Sequence, residues 1–401
     1  MIRLIIITDF SEGFAHNLMS GIMRYSKESE LWVVCRMPVS FKEQYGIEGV
    51  LQWAKQWEAN AIIGQFKNDE NVDLFRKNNI VAIAQDYHSR FSTIPNISSD
   101  YILTGKMAAD FFIRKGFKNF AFYGYVNACW SEERCEGFYN RISEAGYANN
   151  FHQLNTQTLE SLWYYKSAPL IEWIKSLPYP IALFACDDYQ ANKIIEVCRI
   201  IGVRIPQDIA ILGVDNDELL CTLSNPTLSS VGVNIEKGGY EVAKLIEQLV
   251  INLDYPYEDI VIQPICIYDR GSTNIYAVKD INVQHALNYI QENYKEKISI
   301  SDIVKRVPLS RRLLEIKFKE ATGCSMYQFI HNLKMEEFAK LLLENNEPIA
   351  YVASMVGISD FKNLSRQFKE WKGCSPNQFR KYNKLNSALT SNNIYKFCNK
   401  K

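Results

Sequence analysis

Over the first 270 residues, short continuous apolar runs alternate with longer amphipathic stretches. Leu4–Ile7, Leu31–Cys35, Ala61–Ile63, Val81–Ala84, Phe120–Tyr123, Ile181–Ala185 and Ile209–Val214 are runs of the first kind. They are apolar throughout, not at alternate positions, which predicts strands of a parallel sheet buried on both faces. Between them, Gly13–Ser29, Tyr101–Lys115, Glu132–Ala145, Tyr189–Ile201 and Ile235–Asn252 carry apolar residues at helical spacing. This order predicts an α/β domain of two Rossmann-like lobes over residues 1–270, the first lobe ending near Phe117. The pattern breaks at "YDRGSTNIYAVKDIN", so residues 271–282 are expected to be a linker. Beyond it the periodicity is almost purely helical, giving an all-α domain over 283–385 and a polar tail, expected to be loose, over 386–401.

Two segments of the helical part share one plan. "ISISDIVKRVPLSRRLLEIKFKEATGCSMYQFI" (298–330) and "PIAYVASMVGISDFKNLSRQFKEWKGCSPNQFRKY" (348–382) each pair a short apolar helix with a tight turn and a second, more basic helix. In the second copy Ile349, Val352, Ala353 and Val356 form one face, Gly357 supplies the turn, and Leu364 and Phe368 dock the next helix. Lys362, Asn363 and Arg366 remain on its other face, as donors for phosphates and base edges. Charge agrees: the chain is neutral overall, yet residues 280–401 hold 20 Lys and Arg against 12 Asp and Glu. Such an asymmetry suits a polyanion-binding module joined to a more acidic one.

The repeated segments resemble the AraC/XylS family over about residues 280–385, through "IAYVASMVGISDFKNLSRQFKEWKGCSPNQFRK". Carried over by position, the resemblance implies groove-facing residues Arg311, Arg312, Glu315 and Ile316 in one helix and Phe361, Lys362, Asn363 and Arg366 in the other. Pro308 stands where a turn glycine is usual. Ile316 and Phe361 are apolar at commonly polar contact positions and suit thymine methyl groups.

In the α/β part, polar residues gather where strands end: "TDFSEG" with Asp9 and Phe10, followed by Phe14; "AQDYHSRF" with Asp86; "FACDDY"; and "GVDNDELL". Ligands of open parallel sheets bind at such ends. Taken alone, the carboxylates of "GVDNDELL" suit a metal, acid/base catalysis or a polyol. No Gly-rich phosphate loop, nucleophile elbow or H-E-x-x-H is present, and the calcium-loop pattern is missing. Catalytic residues and metal ligands are therefore expected to be none. Ten cysteines without a C-x-x-C pair, several of them (Cys35, Cys186, Cys198, Cys266) inside apolar runs, suit a reducing compartment. With neither a signal peptide nor an apolar run near the ~20 residues of a membrane span, the expectation is a cytoplasmic protein with no membrane partner.

"WSEERCEGF", "FACDD" and "ILGVDND" in this order resemble the LacI/GalR-type sugar-binding domain, related to type I periplasmic binding proteins, over about residues 1–275. The resemblance implies that Arg134, Asp187 and Asp215 line an effector pocket, with Asn216 as a second contact. Cys186 stands where the family often has Asn. Ionised carboxylates and a forked guanidinium suit sugar hydroxyls, which both donate and accept. Phe10, Phe14 and Trp130 are candidates for a ring's apolar face, ordinary packing being the alternative for each. Asp217 and Glu218 suit the start of the next helix. A sugar-binding domain ahead of an AraC-type module resembles the bacterial regulators of xylose operons. That implies a non-enzymatic transcription activator answering to xylose or another pentose, with no further cofactor. Its partners would be operator or promoter DNA, a second copy of the chain and RNA polymerase. A regulator of another mono- or oligosaccharide, or a sugar-acting enzyme with catalytic acidic loops, are the alternatives.

Overall fold

The computed structural model describes residues 1–8, 13–29, 31–86, 88, 90–156, 167–278 and 280–383. Asp9, Phe10 and the tail 386–401 lie outside the described residues. The chain divides into two compact units, unit 1 ending at Ile275 and unit 2 taking up the chain from Tyr276, together with Arg114–Gly116.

In chain order, unit 1 runs β1 (Ile2–Ile7), α1 (Gly13–Glu28), β2 (Trp32–Met37), α2 (Val39–Gln56), β3 (Ala61–Gln65), α3 (Asp73–Arg76), β4 (Val81–Gln85), β5 (Asn96–Ser99), α4 (Tyr101–Arg114), β6 (Phe120–Tyr125) and α5 (Cys129–Glu144). It continues through β7 (Phe151–Thr156), α6 (Ser167–Ser176), β8 (Ile181–Ala185), α7 (Asp188–Ile201), β9 (Ile209–Val214), α8 (Glu218–Leu223), β10 (Ser229–Val233), α9 (Ile235–Ile251), β11 (Ile260–Ile262) and β12 (Pro264–Tyr268). Two six-stranded sheets result, ordered β2-β1-β3-β4-β5-β11 and β7-β6-β8-β9-β10-β12. Every pairing is parallel except β10 with β12. The central strands β6, β8 and β9 are buried along their whole length, which is why they read as unbroken apolar runs.

The lobe boundary differs from the sequence expectation. The first sheet ends at Ser99, α4 leads into the second lobe, and the first lobe regains α9 and β11 later. The chain thus crosses between lobes three times, near Asp100, Asn234 and Gln263. These crossings are bonded together: Asp100 N–H donates to the Ile262 carbonyl at 2.9 Å, and Asn234 N–H to that of Gln263 at 3.4 Å. Periodicity cannot show this, because β11 joins the first sheet by pairing with β5, a strand distant in sequence. In the first lobe, α1 lies so close on α9 that a Cβ on Gly21 would stand 1.8 Å from the Glu236 carbonyl oxygen.

After β12 the chain makes a tight turn at Gly271–Thr273, with Ser272 and Thr273 fully buried. Tyr276 and Val278 already belong to the core of unit 2, so the expected linker is taken up at both ends.

Unit 2 is helical among its described residues: α10 (Ile281–Asn293), α11 (Ile300–Val304), α12 (Arg311–Thr322), α13 (Met326–Glu344), α14 (Ile349–Met355), α15 (Phe361–Lys372) and α16 (Pro376–Asn383). Helix starts are fixed by side chains. Ser299 and Ser325 form capping boxes with Asp302 and Gln328, while Ser310 and Asp360 cap α12 and α15. Phe368 of α15 is fully buried, 5.5 Å from both Phe338 and Phe379. Gly357, at φ 66°, makes the turn between α14 and α15; a Cβ there would meet the Lys295 carbonyl at 2.1 Å.

Candidate functional site

The strand-end loops of unit 1 converge from both lobes. In the second lobe, β9 stops at Val214 and the chain turns through Asp215 (φ 96°) and Asn216 (φ 51°), two consecutive non-glycine residues in the left-handed region. That conformation is costly, and every amide of the turn is held. Asp215 N–H donates to the Val231 carbonyl at 2.9 Å, Asn216 N–H to Ser230 Oγ at 3.0 Å, and Asp217 N–H to Asp188 Oδ2 at 2.8 Å. Asp217 caps α8, accepting from Leu220 N–H at 3.1 Å, and Glu218 opens the helix.

Arg134, on α5, is 4% exposed. Its Nη2 lies 3.2 Å from Asp215 Oδ1, and its Nη1 donates to the Cys186 carbonyl. The guanidinium carbon stands 5.2 Å from the Tyr101 ring centre and 5.5 Å from that of Trp130. Its Nε has no hydrogen-bond partner among the described residues. Burial raises the pKa of Asp215, and the Arg134 charge opposes that rise. Asp187 caps α7, accepting from Gln190 N–H at 2.6 Å; burial pushes its pKa up to about 6, and the Asp215 charge adds to the rise.

From the first lobe, Asp86 follows β4 and is 3% exposed. Its Oδ2 accepts from Arg90 Nε at 3.2 Å, while its Oδ1 has no hydrogen-bond partner among the described residues. Burial pushes its pKa up to about 7, against the pull of Arg90. Arg90 in turn makes a two-pronged contact with Glu133 of the second lobe, 2.9 Å on each prong, and lies 6.0 Å from the Tyr101 ring centre. Tyr101 is therefore flanked by the guanidinium carbons of Arg90 and Arg134. Gly13, at the start of α1, faces Asp217 closely enough that a Cβ would stand 2.6 Å from its carboxylate. His88 contacts the Asn127 carbonyl across the same cleft.

The structure thus brings Asp86, Trp130, Arg134, Asp187 and Asp215 together. Phe14 sits half-buried in the first turn of α1, beside Gly13. Asn216 is placed differently from a plain second contact, since its Oδ1 accepts from Arg270 Nη2 at 2.7 Å. Sequence reasoning missed Arg90, Tyr101, Glu133 and Arg270. Arg90 lies in the "AQDYHSRF" loop and Arg270 opens the "RGST" break, but nothing local assigns them a partner. Among the described residues, no group of three or more His, Cys, Asp or Glu is placed to hold a metal ion.

In unit 2, Leu314 and Phe318 bury one face of α12, and Arg311, Arg312, Glu315 and Ile316 are exposed on the other. Arg311 Nε donates to Glu315 at 2.9 Å. The same division recurs in α15: Leu364 and Phe368 face inward, Phe361, Lys362, Asn363 and Arg366 outward. Asn363 Nδ2 donates to Asp360 at 2.8 Å, which fixes the amide at the head of the helix.

A periplasmic binding protein-like domain matches residues 109–273, and a helix-turn-helix domain matches residues 303–382. The multiple antibiotic resistance protein MarA of Escherichia coli is 34% identical over 103 residues, which span 26% of this chain and 81% of MarA. The xylose operon regulatory protein of E. coli is 25% identical over 392 residues, 95% of this chain and 97% of that protein. The solved structure of the xylose-binding transcription activator XylR covers 96% of this chain at 23% identity, with a TM-score of 0.57. A LacI family regulator from Enterococcus faecium, solved with bound ribose, covers 68% at 19% identity and a TM-score of 0.57.

The chain belongs to the AraC-type helix-turn-helix family, and it is a DNA-binding transcription regulator, not an enzyme. Its order along the full length, a periplasmic binding protein-like domain ahead of an AraC-type module, is that of the xylose operon regulators. Among the described residues no helix is long and apolar enough to cross a membrane.

Proposed function

We propose that the cleft of unit 1 binds a pentose, xylose foremost, and that occupancy sets how unit 2 engages promoter DNA. One observation carries the sugar reading. Two buried polar atoms without hydrogen-bond partners among the described residues, Arg134 Nε and Asp86 Oδ1, come from opposite lobes and belong to ionisable groups near the same Tyr101 ring. A buried unsatisfied donor and acceptor are each costly, and a ligand with several hydroxyls answers both at once. Asp187 and Asp215 add acceptors and Trp130 an apolar ring face. The full-length likeness to xylose operon regulatory proteins favours xylose among the pentoses.

On this reading Asp86 and Arg134 share one sugar across the cleft, and binding favours the closed arrangement of the lobes. Two recognition helices, α12 and α15, enter successive major-groove segments. The protein works in the cytoplasm as a homodimer, activates transcription and contacts RNA polymerase. Sugar binding is tested by thermal shift of the purified chain against a panel of pentoses and hexoses. A ligand at 100 times its Kd adds about 2.7 kcal/mol, a clear rise in Tm. No shift with any sugar would overturn the reading.

A further inference from the structure

Arg270 stands just after β12, at the point where unit 1 gives way to the connecting segment. Its guanidinium is engaged on two sides, Nη2 donating to Asn216 Oδ1 at 2.7 Å and Nη1 to the Leu228 carbonyl at 2.8 Å. Its guanidinium carbon lies 5.4 Å from the Tyr268 ring centre, and its backbone N–H donates to Ser229 Oγ at 2.7 Å. The residues that follow are fastened by buried hydroxyls. Ser272 Oγ donates to the Ile211 carbonyl at 2.6 Å and accepts from Ser229 N–H at 2.8 Å, and Ser229 Oγ and Thr273 Oγ1 are 2.6 Å apart. Ser229, Ser272 and Thr273 are fully buried. Asn216, at the other end of the Arg270 contact, is the neighbour of Asp215 and shares its left-handed backbone. Side-chain and backbone bonds therefore run from the loop that presents Asp215, through Asn216 and Arg270, into residues 271–273.

We infer that Arg270 is a positioning residue, holding the Asp215–Asn216 turn in its binding geometry and conveying the state of that turn to the segment leading into unit 2. The inference rests on the reading of Asp215 as a sugar contact. A fork is needed, since one group must reach Asn216 Oδ1 and the Leu228 carbonyl together; a lysine ammonium is a point charge and satisfies one of them well.

The test uses the full chain as wild type, Arg270→Lys, Arg270→Ala, Asn216→Ala and the double variant Arg270→Ala with Asn216→Ala. Xylose binding is measured by calorimetry, and affinity for a duplex the protein selects from a random pool is measured by anisotropy, without sugar and at saturating xylose. Arg270→Ala and Asn216→Ala are expected to weaken xylose binding about tenfold each, without further loss in the double variant, as for partners in one contact. At saturating xylose, Arg270→Ala is expected to lose the sugar-induced change in DNA affinity, which a purely stabilising residue would leave intact. Arg270→Lys, folded by its melting curve, is expected to bind xylose nearly normally with a reduced DNA response, and it decides the matter if the alanine variant fails to fold. Wild-type Kd and wild-type DNA response in the folded variants would overturn the inference alone. Absence of xylose binding in the wild type would overturn the sugar reading, and the inference with it.

Discussion

Arg134 Nη2 lies 3.2 Å from Asp215 Oδ1, joining a guanidinium on the first helix after β6 to a carboxylate at the end of β9. The pair differs from a surface ion pair because Arg134 is buried and its remaining face lies against aromatic rings. Replacing Asp215 by Ala leaves a buried cation without its carboxylate. We expect the sugar response to vanish while sugar-free DNA binding stays at the wild-type level. Unfolding stability should fall by about 2–3 kcal/mol, less than for a fully buried pair, because the Asp215 side chain keeps 21% exposure. Calorimetry and urea unfolding of the one variant check both; a normal sugar response would refute the assignment of Asp215.

The cleft carboxylates make stability depend on pH with a defined sign. Burial pushes Asp86 up to about 7 and Asp187 up to about 6. An unfolded aspartate titrates near ~3.9. Between about pH 4 and 7 the folded chain therefore holds protons that the unfolded chain has released, so these groups lower stability as pH rises through that window. Asp86→Asn removes its share, flattening the curve across about pH 4 to 7 and leaving only the Asp187 slope, which ends near pH 6. Urea unfolding of both proteins at pH 5, 6, 7 and 8 measures this; parallel curves would contradict it.

Arg366 and Lys362 lie on the outward face of α15, Arg366 with 71% of its side chain exposed. Arg366→Ala is expected to cost about 1–3 kcal/mol of promoter affinity and to relax preference at one base position, as for a base-edge contact. Lys362→Ala should weaken binding evenly across sequences and reduce the salt slope by about 1, as for a phosphate contact. Xylose affinity should be unchanged in both. Anisotropy titrations over a salt series separate the two behaviours.

Gly21 lets α1 approach α9, and any Cβ there meets the Glu236 carbonyl at 1.8 Å. Gly21→Ala forces the helices apart and is expected to cost about 1–3 kcal/mol, the usual range for overpacking. The loss should appear in the melting of the sugar-binding unit. DNA affinity without sugar should stay close to wild type.

Strands such as Phe120–Tyr125 and Ile209–Val214 were legible because burial on both faces leaves an apolar run. Asn96–Ser99, Phe151–Thr156 and Ser229–Val233 were not, since their residues are mostly polar or mixed. Asn96–Ser99 and Ser229–Val233 are nevertheless fully buried, their polar groups answered by partners distant in sequence, as Asn96 N–H is by Asp259 and Ser229 N–H by Ser272. The outward faces of α12 and α15 were legible from helical spacing alone. In the cleft, Arg134, Asp187 and Asp215 stood out through the order of their motifs, whereas Tyr101, Arg90 and Glu133 matter only once two lobes meet. Asn216 shows the limit most clearly. Its amide suits a sugar, yet its oxygen is engaged by Arg270, 54 residues on.

If the cleft is a xylose sensor wired to DNA binding, calorimetric titration of the purified chain with xylose, alongside ribose, arabinose and glucose, shows it. Saturable one-site binding of xylose is expected, tighter than that of the other three sugars, with loss of that heat in Asp215→Ala. Absence of xylose binding, or equal binding by the Asp215→Ala variant, would contradict it.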